Sequence, residues 1–72
     1  MTNSMSQNEW LVDIINHLNY IKNSLYMKST ILIIPSRYNK NECIKTIQKD
    51  YPIIEDNNDD TIVIFLRHWL YY

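Results

Sequence analysis

The sequence predicts an α+β domain with the element order α-β-α-β-β: a three-stranded mixed sheet of order 1-3-2, a split β-α-β, with two helices on one face. Three observations carry that expectation. Two stretches place apolar residues at helical spacing behind capping residues. Two others, residues 30–34 and 61–66, are β-branched and apolar at nearly every position. Between them, Pro52 and the turn Asp56-Asn57-Asn58-Asp59-Asp60 bracket a short run placed to pair as a hairpin.

The first helix is predicted at residues 7–27. Ser6-Gln7-Asn8-Glu9 has the form of a capping box, with Met5 and Trp10 as its hydrophobic staple. Leu11, Ile14, Ile15, Leu18, Ile21 and Leu25 then make one apolar stripe, opposite a polar face of Asp13, Asn16, His17, Tyr20, Asn23 and Ser24. The first strand is expected at 30–34, closed by Pro35. A second capping box, Asn39-Lys40-Asn41-Glu42, opens a helix to about Asp50 whose inner face is Cys43, Ile44 and Ile47. The second strand is a short edge at 53–55. Asn and Asp suit the turn that follows, because they tolerate left-handed backbone where a chain without glycine needs it.

A right-handed crossover makes the first two strands parallel, and the hairpin sets the third antiparallel to the second. The third strand is the most apolar and belongs in the centre. Two helices cover one face of such a sheet. Alternate residues of 31–34 and 62–66 are then left bare on the other, a patch not expected on a soluble monomer. A symmetric homodimer is the simplest cover.

Size points the same way. All 72 residues are read as one small domain, with residues 1–5 as a disordered N-terminus. A chain of this length buries only about 60% of its unfolded surface and usually needs an added staple. Cys43 is the sole cysteine, so no internal disulfide is possible, and a single thiol suits a reducing, intracellular setting, here the host cytoplasm. His17 and His68 have no local Cys or His partners at ligand spacing, so no metal and no cofactor is expected. No apolar run approaches 18 residues, and the N-terminus has no signal-peptide pattern, so no membrane association is expected.

Composition narrows the function classes. There is no Gly and no Ala, against 12 Ile, 9 Asn and 6 Tyr. The favoured residues have AT-rich codons, which suggests a virus, phage or mobile element, or else an AT-rich cellular genome. Without glycine, the phosphate loop, the dinucleotide fingerprint and the nucleophile elbow are all excluded. Net charge is −1, but it is unevenly spread: +5 over residues 20–49 and −5 over 50–60.

Several groups are candidates for function. Glu55, Asp56, Asp59 and Asp60 form an acidic knob suited to a basic protein surface. Asp56-x-Asn58-x-Asp60 matches the start of a calcium loop, but Thr61 stands where glycine is needed and Arg67 where the bidentate Glu belongs. Phe65, Arg67, His68, Trp69, Tyr71 and Tyr72 supply the residue types of interface hot spots. Arg37, Lys40, Lys45 and Lys49 make a basic loop and helix that suit phosphate or a nucleic-acid backbone. The His17 cluster reads as surface, and Cys43 as an inert core thiol. No catalytic set emerges. The sequence therefore reads as a binding protein rather than an enzyme: a homodimer that contacts a host protein, for instance as an anti-CRISPR-type inhibitor of a defence or regulatory factor. The alternative is a dimeric nucleic-acid binder.

Overall fold

The computed structural model describes residues 5–24 and 27–67. Its elements are α1 (Gln7–Ile21), β1 (Ser29–Ile33), α2 (Lys40–Gln48), β2 (Ile54–Asp56) and β3 (Thr61–Phe65). The sheet order is β1-β3-β2, as expected from the apolar character of β3. Both ladders are antiparallel, so the sheet is antiparallel rather than mixed. The parallel relation expected of β1 and β2 survives only as a shared direction, because β3 lies between them.

The capping box of α1 forms in full. The Glu9 N–H donates to Ser6 Oγ at 3.1 Å, and the Ser6 N–H donates to Glu9 Oε1 at 2.9 Å. The helix stops at Ile21, well short of the expected residue 27. There the Asn23 side-chain amide bonds the Asn19 carbonyl at 3.2 Å, and the Ser24 N–H turns back to Ile21 O at 3.0 Å. Asn and Ser compete in this way with helix propagation. The apolar stripe is therefore shorter than read from the sequence, and Leu25 lies outside the described residues.

At α2 the expected capping box is only half made. Asn39 Oδ1 accepts the Glu42 N–H at 3.0 Å, but the Asn39 N–H is taken at 2.8 Å by Gln7 Oε1, from the first turn of α1. Gln7 Nε2 in turn donates to Glu42 Oε1 at 3.3 Å. One side chain thus closes the cap and ties the two helix N-termini together. Beside them, Tyr38 packs against Trp10 with ring centroids 5.3 Å apart and the planes tilted by 47°. Its hydroxyl donates at 2.7 Å to the carbonyl of Met5, a residue expected to lie in a disordered N-terminus.

The core lies between the helices and one sheet face. Leu11 and Leu18 of α1, Cys43 and Ile47 of α2, and Ile34, Ile62, Ile64 and Leu66 are buried together. Tyr51 closes its end, with its hydroxyl on Asn19 Oδ1. Burial and the nearby Asp50 push the Tyr51 phenol up from its ordinary pKa. No helix among the described residues is long and apolar enough to cross a membrane.

Candidate functional site

Strand alternation sends Ile62 and Ile64 to the helices and their neighbours Val63 and Phe65 to the other face. The register places Ile31 and Glu55 on either side of Val63, Ser29 beside Phe65, and Ile33 beside Thr61. Ile31 is 67% exposed, Ile33 63% and Ile53 38%, while Val63 and Phe65 are half-buried. The outer sheet face is therefore an apolar row across the molecule, with the Glu55 carboxylate on its β2 side. The sequence marked this face as bare, yet among its residues only Phe65 and Glu55 were singled out as candidates. Ile31 and Ile33, which pair with Val63 and Thr61, are not singled out by the sequence, because alternation within each strand does not fix which faces of two strands coincide.

The acidic turn is held from within. Asp56 Oδ1 accepts the Asn58 N–H at 2.8 Å, which lets Asn58 take φ 65° without glycine. Asp59 Oδ1 accepts from the Thr61 N–H at 2.8 Å and from its hydroxyl at 2.6 Å. Lys40 reaches in from α2, with Nζ 2.6 Å from Asp56 Oδ1 and also donating to the Asp59 carbonyl. Hydrogen bonding from Lys40 holds the Asp56 carboxyl below its ordinary pKa, and bonds from Thr61 do the same for Asp59. Asp56 and Asp59 thus carry the turn's architecture. Glu55 and Asp60 are exposed, and no hydrogen bond or ion pair among the described residues engages their carboxylates.

The basic set is divided. Lys40 is spent on the turn, leaving the patch expected around α2. The Arg37 guanidinium lies 4.6 Å from the Tyr38 ring centroid and donates to its hydroxyl at 3.1 Å. Lys45 and Lys49 are exposed on α2. Arg67, expected to project for contacts, folds back instead. Its guanidinium donates to the Lys22 carbonyl at 2.9 Å and to the Ser24 carbonyl, where α1 ends. A cation there also complements the helix dipole. The remaining terminal candidates His68, Trp69, Tyr71 and Tyr72 lie outside the described residues.

A depression of about 260 Å³ opens between the ends of α1, α2 and β3, with Lys22, Tyr51, Phe65 and Arg67 on its wall. Ligand clefts usually hold roughly 300–1,000 Å³. Both its cations are engaged within the fold, Arg67 as above and Lys22 with Nζ 5.7 Å over the Tyr51 ring. Cys43 is fully buried, and burial with the neighbouring Glu42 carboxylate pushes its thiol up, away from thiolate reactivity. Among the described residues, no three or more His, Cys, Asp or Glu side chains are grouped to hold a metal. Among the described residues, the outer sheet face is thus the feature that no other part of the fold covers.

Comparison with protein-family models, with curated proteins and with solved structures finds no match to this chain.

Proposed function

We propose that this chain is a small non-enzymatic binding protein that acts by protein–protein interaction, as a homodimer with a further protein partner. The observation that carries the reading is the outer sheet face, where Ile31, Ile33, Ile53, Val63 and Phe65 lie together with no helix of the described residues over them. Uncovered apolar faces of this kind mark association surfaces in soluble proteins. Glu55, beside Val63 on this face, adds negative charge that selects a basic partner surface. The finer version is a virus- or phage-encoded inhibitor of a host defence or regulatory factor, of the anti-CRISPR type, acting in the host cytoplasm. It rests on the AT-rich residue usage, with no Gly and no Ala among 72 residues.

The nucleic-acid alternative loses ground, because Lys40 is committed to Asp56 and the remaining α2 cations are Lys45 and Lys49. Two measurements on the full chain test the proposal. Light scattering reads self-association, and a pull-down from host lysate with mass spectrometry reads the partner, each repeated on Phe65→Glu. Partner capture should be lost in the variant. DNA or RNA binding with a steep salt slope that disappears in Lys45→Glu plus Lys49→Glu would replace this reading with the alternative.

A further inference from the structure

The two edges of the sheet are built differently. On the β2 side the edge is three residues long, Ile54–Asp56, with Pro52 just before it. There the ladder bonds run from the Phe65 N–H to Ile53 O (3.0 Å) and from the Asn57 N–H to Thr61 O (3.3 Å). Residues 53, 55 and 57 therefore face β3, and only Ile54 and Asp56 turn their backbone groups outward. Shortness, proline and acidic side chains are the ordinary guards of a sheet edge.

The β1 edge has none of them. It runs five residues, Ser29-Thr30-Ile31-Leu32-Ile33, with no charge and no proline. The Leu66 N–H bonds Lys28 O at 2.9 Å, and the Ile34 N–H bonds Asp60 O at 2.7 Å. Those bonds fix the pairing phase: residues 28, 30, 32 and 34 face β3, while Ser29, Ile31 and Ile33 turn N–H and C=O away from it. The same alternation puts the Ile31 and Ile33 side chains on the outer face, where both are exposed. Open backbone groups and uncovered apolar side chains thus belong to the same residues.

We propose that β1 pairs antiparallel with β1 of a second copy, about a two-fold axis at Ile31. This deepens the homodimer reading given above and rests on it. In that arrangement Ile31 faces its own counterpart, and Ser29 of each copy faces Ile33 of the other. Each facing pair exchanges two backbone hydrogen bonds, and no like charges meet. The edge is self-complementary, as a two-fold interface requires. Pairing through β2 would instead bring the Glu55 and Asp56 carboxylates of two copies together. The product is one six-stranded sheet, β2-β3-β1-β1-β3-β2. Its outer faces merge into a single apolar platform, which stays open for the protein partner.

The test uses the full chain and two variants. Ile31→Pro removes an outward N–H without touching the β3 ladder, and Val63→Lys charges the outer face in the central strand, away from the edge. Edge pairing predicts a dimeric wild type by light scattering, a halved mass for Ile31→Pro with unchanged circular dichroism, and a dimeric Val63→Lys. A monomeric Val63→Lys beside a dimeric Ile31→Pro would overturn the proposal in favour of face-to-face packing. A wild type monomeric at millimolar concentration would overturn the homodimer reading itself. Should Ile31→Pro fail to fold, amide exchange in the wild type decides. The Ile31 amide should exchange more slowly as concentration rises, and a rate independent of concentration would refute edge pairing.

Discussion

Lys40 Nζ lies 2.6 Å from Asp56 Oδ1, so the first turn of α2 is fastened to the end of β2 across the mouth of the hairpin turn. The same ammonium also donates to the Asp59 carbonyl. The cation that this turn holds is therefore a lysine, at Asp56 and the Asp59 carbonyl. The turn is a closed unit of Asx bonds and one tethered positive charge, and what it presents outward is Glu55 and Asp60. The acidic candidates thus divide into two that build the turn and two that a partner can reach.

Acid should loosen this unit. Asp56 and Asp59 both have pKa values lowered from the ordinary 3.8, the first mainly by the Lys40 bond and the second mainly by Thr61. As pH falls through that value, the unfolded chain takes up protons before the folded one does. Stability conferred by the two carboxylates is complete above pH 3.8 and declines as pH drops through the lowered folded values. Thermal unfolding followed from pH 6 to pH 2 should show the midpoint falling in that window. In Lys40→Met the fall should be shallower, because Asp56 then approaches its ordinary value. An equally steep fall in the variant would remove Lys40 as the cause.

Gln7 should matter more than an exposed helix-start residue ordinarily does. It accepts the Asn39 N–H and donates to Glu42, supplying the half of the α2 cap that Glu42 was expected to make. Gln7→Ala should cost about 1 kcal/mol, the usual loss for a missing cap. Amide exchange would locate the effect: the Asn39 N–H should lose protection in the variant while Glu9, capped independently by Ser6, keeps it.

The division between what was readable in the residues and what was not follows the range of the interactions. The capping box at Ser6, the 1-3-2 order and the inward set Ile62, Ile64 and Leu66 depend on local pattern and strand period, and all were legible. The end of α1 was not, because apolar periodicity continued past Ile21 while Asn23 and Ser24 turned the backbone. Nor were the engagements of Gln7, Lys40 and Arg67. Their partners lie 32, 16 and 45 residues away, and nothing in the spacing of a lone polar residue names a tertiary partner. Lys40 and Arg67, a basic and a terminal candidate, make such contacts within the fold, whereas the outer face follows from alternation along the strands.

Cys43 should behave as a reporter of global opening. Its side chain is fully buried on α2, and both burial and Glu42 favour the neutral thiol. Under native conditions a thiol reagent should label it far more slowly than a free cysteine, at a rate set by the unfolding equilibrium. Adding urea should accelerate labelling in step with the loss of circular dichroism. Labelling at the free-thiol rate in the absence of denaturant would show that α2 opens locally.

The two faces of the sheet should respond oppositely to the loss of apolar bulk. A domain of this length has about 4–11 kcal/mol of stability at the usual 0.05–0.15 per residue. Ile64 is fully buried between the sheet and the helices, so Ile64→Ala should cost roughly 2–5 kcal/mol and leave the chain close to unfolded. Ile33 is exposed on the opposite face, and Ile33→Thr keeps a β-branched side chain in the strand. In dilute solution, where copies are separate, that change should move stability by no more than about 0.5 kcal/mol, as surface substitutions do. At high concentration it should weaken self-association, because the methyl surface it removes is useful only against another molecule. Urea unfolding at two protein concentrations separates these effects. If Ile33→Thr were strongly destabilising in the dilute sample, the outer face would be packed within a single chain, and its role as a contact surface would be lost.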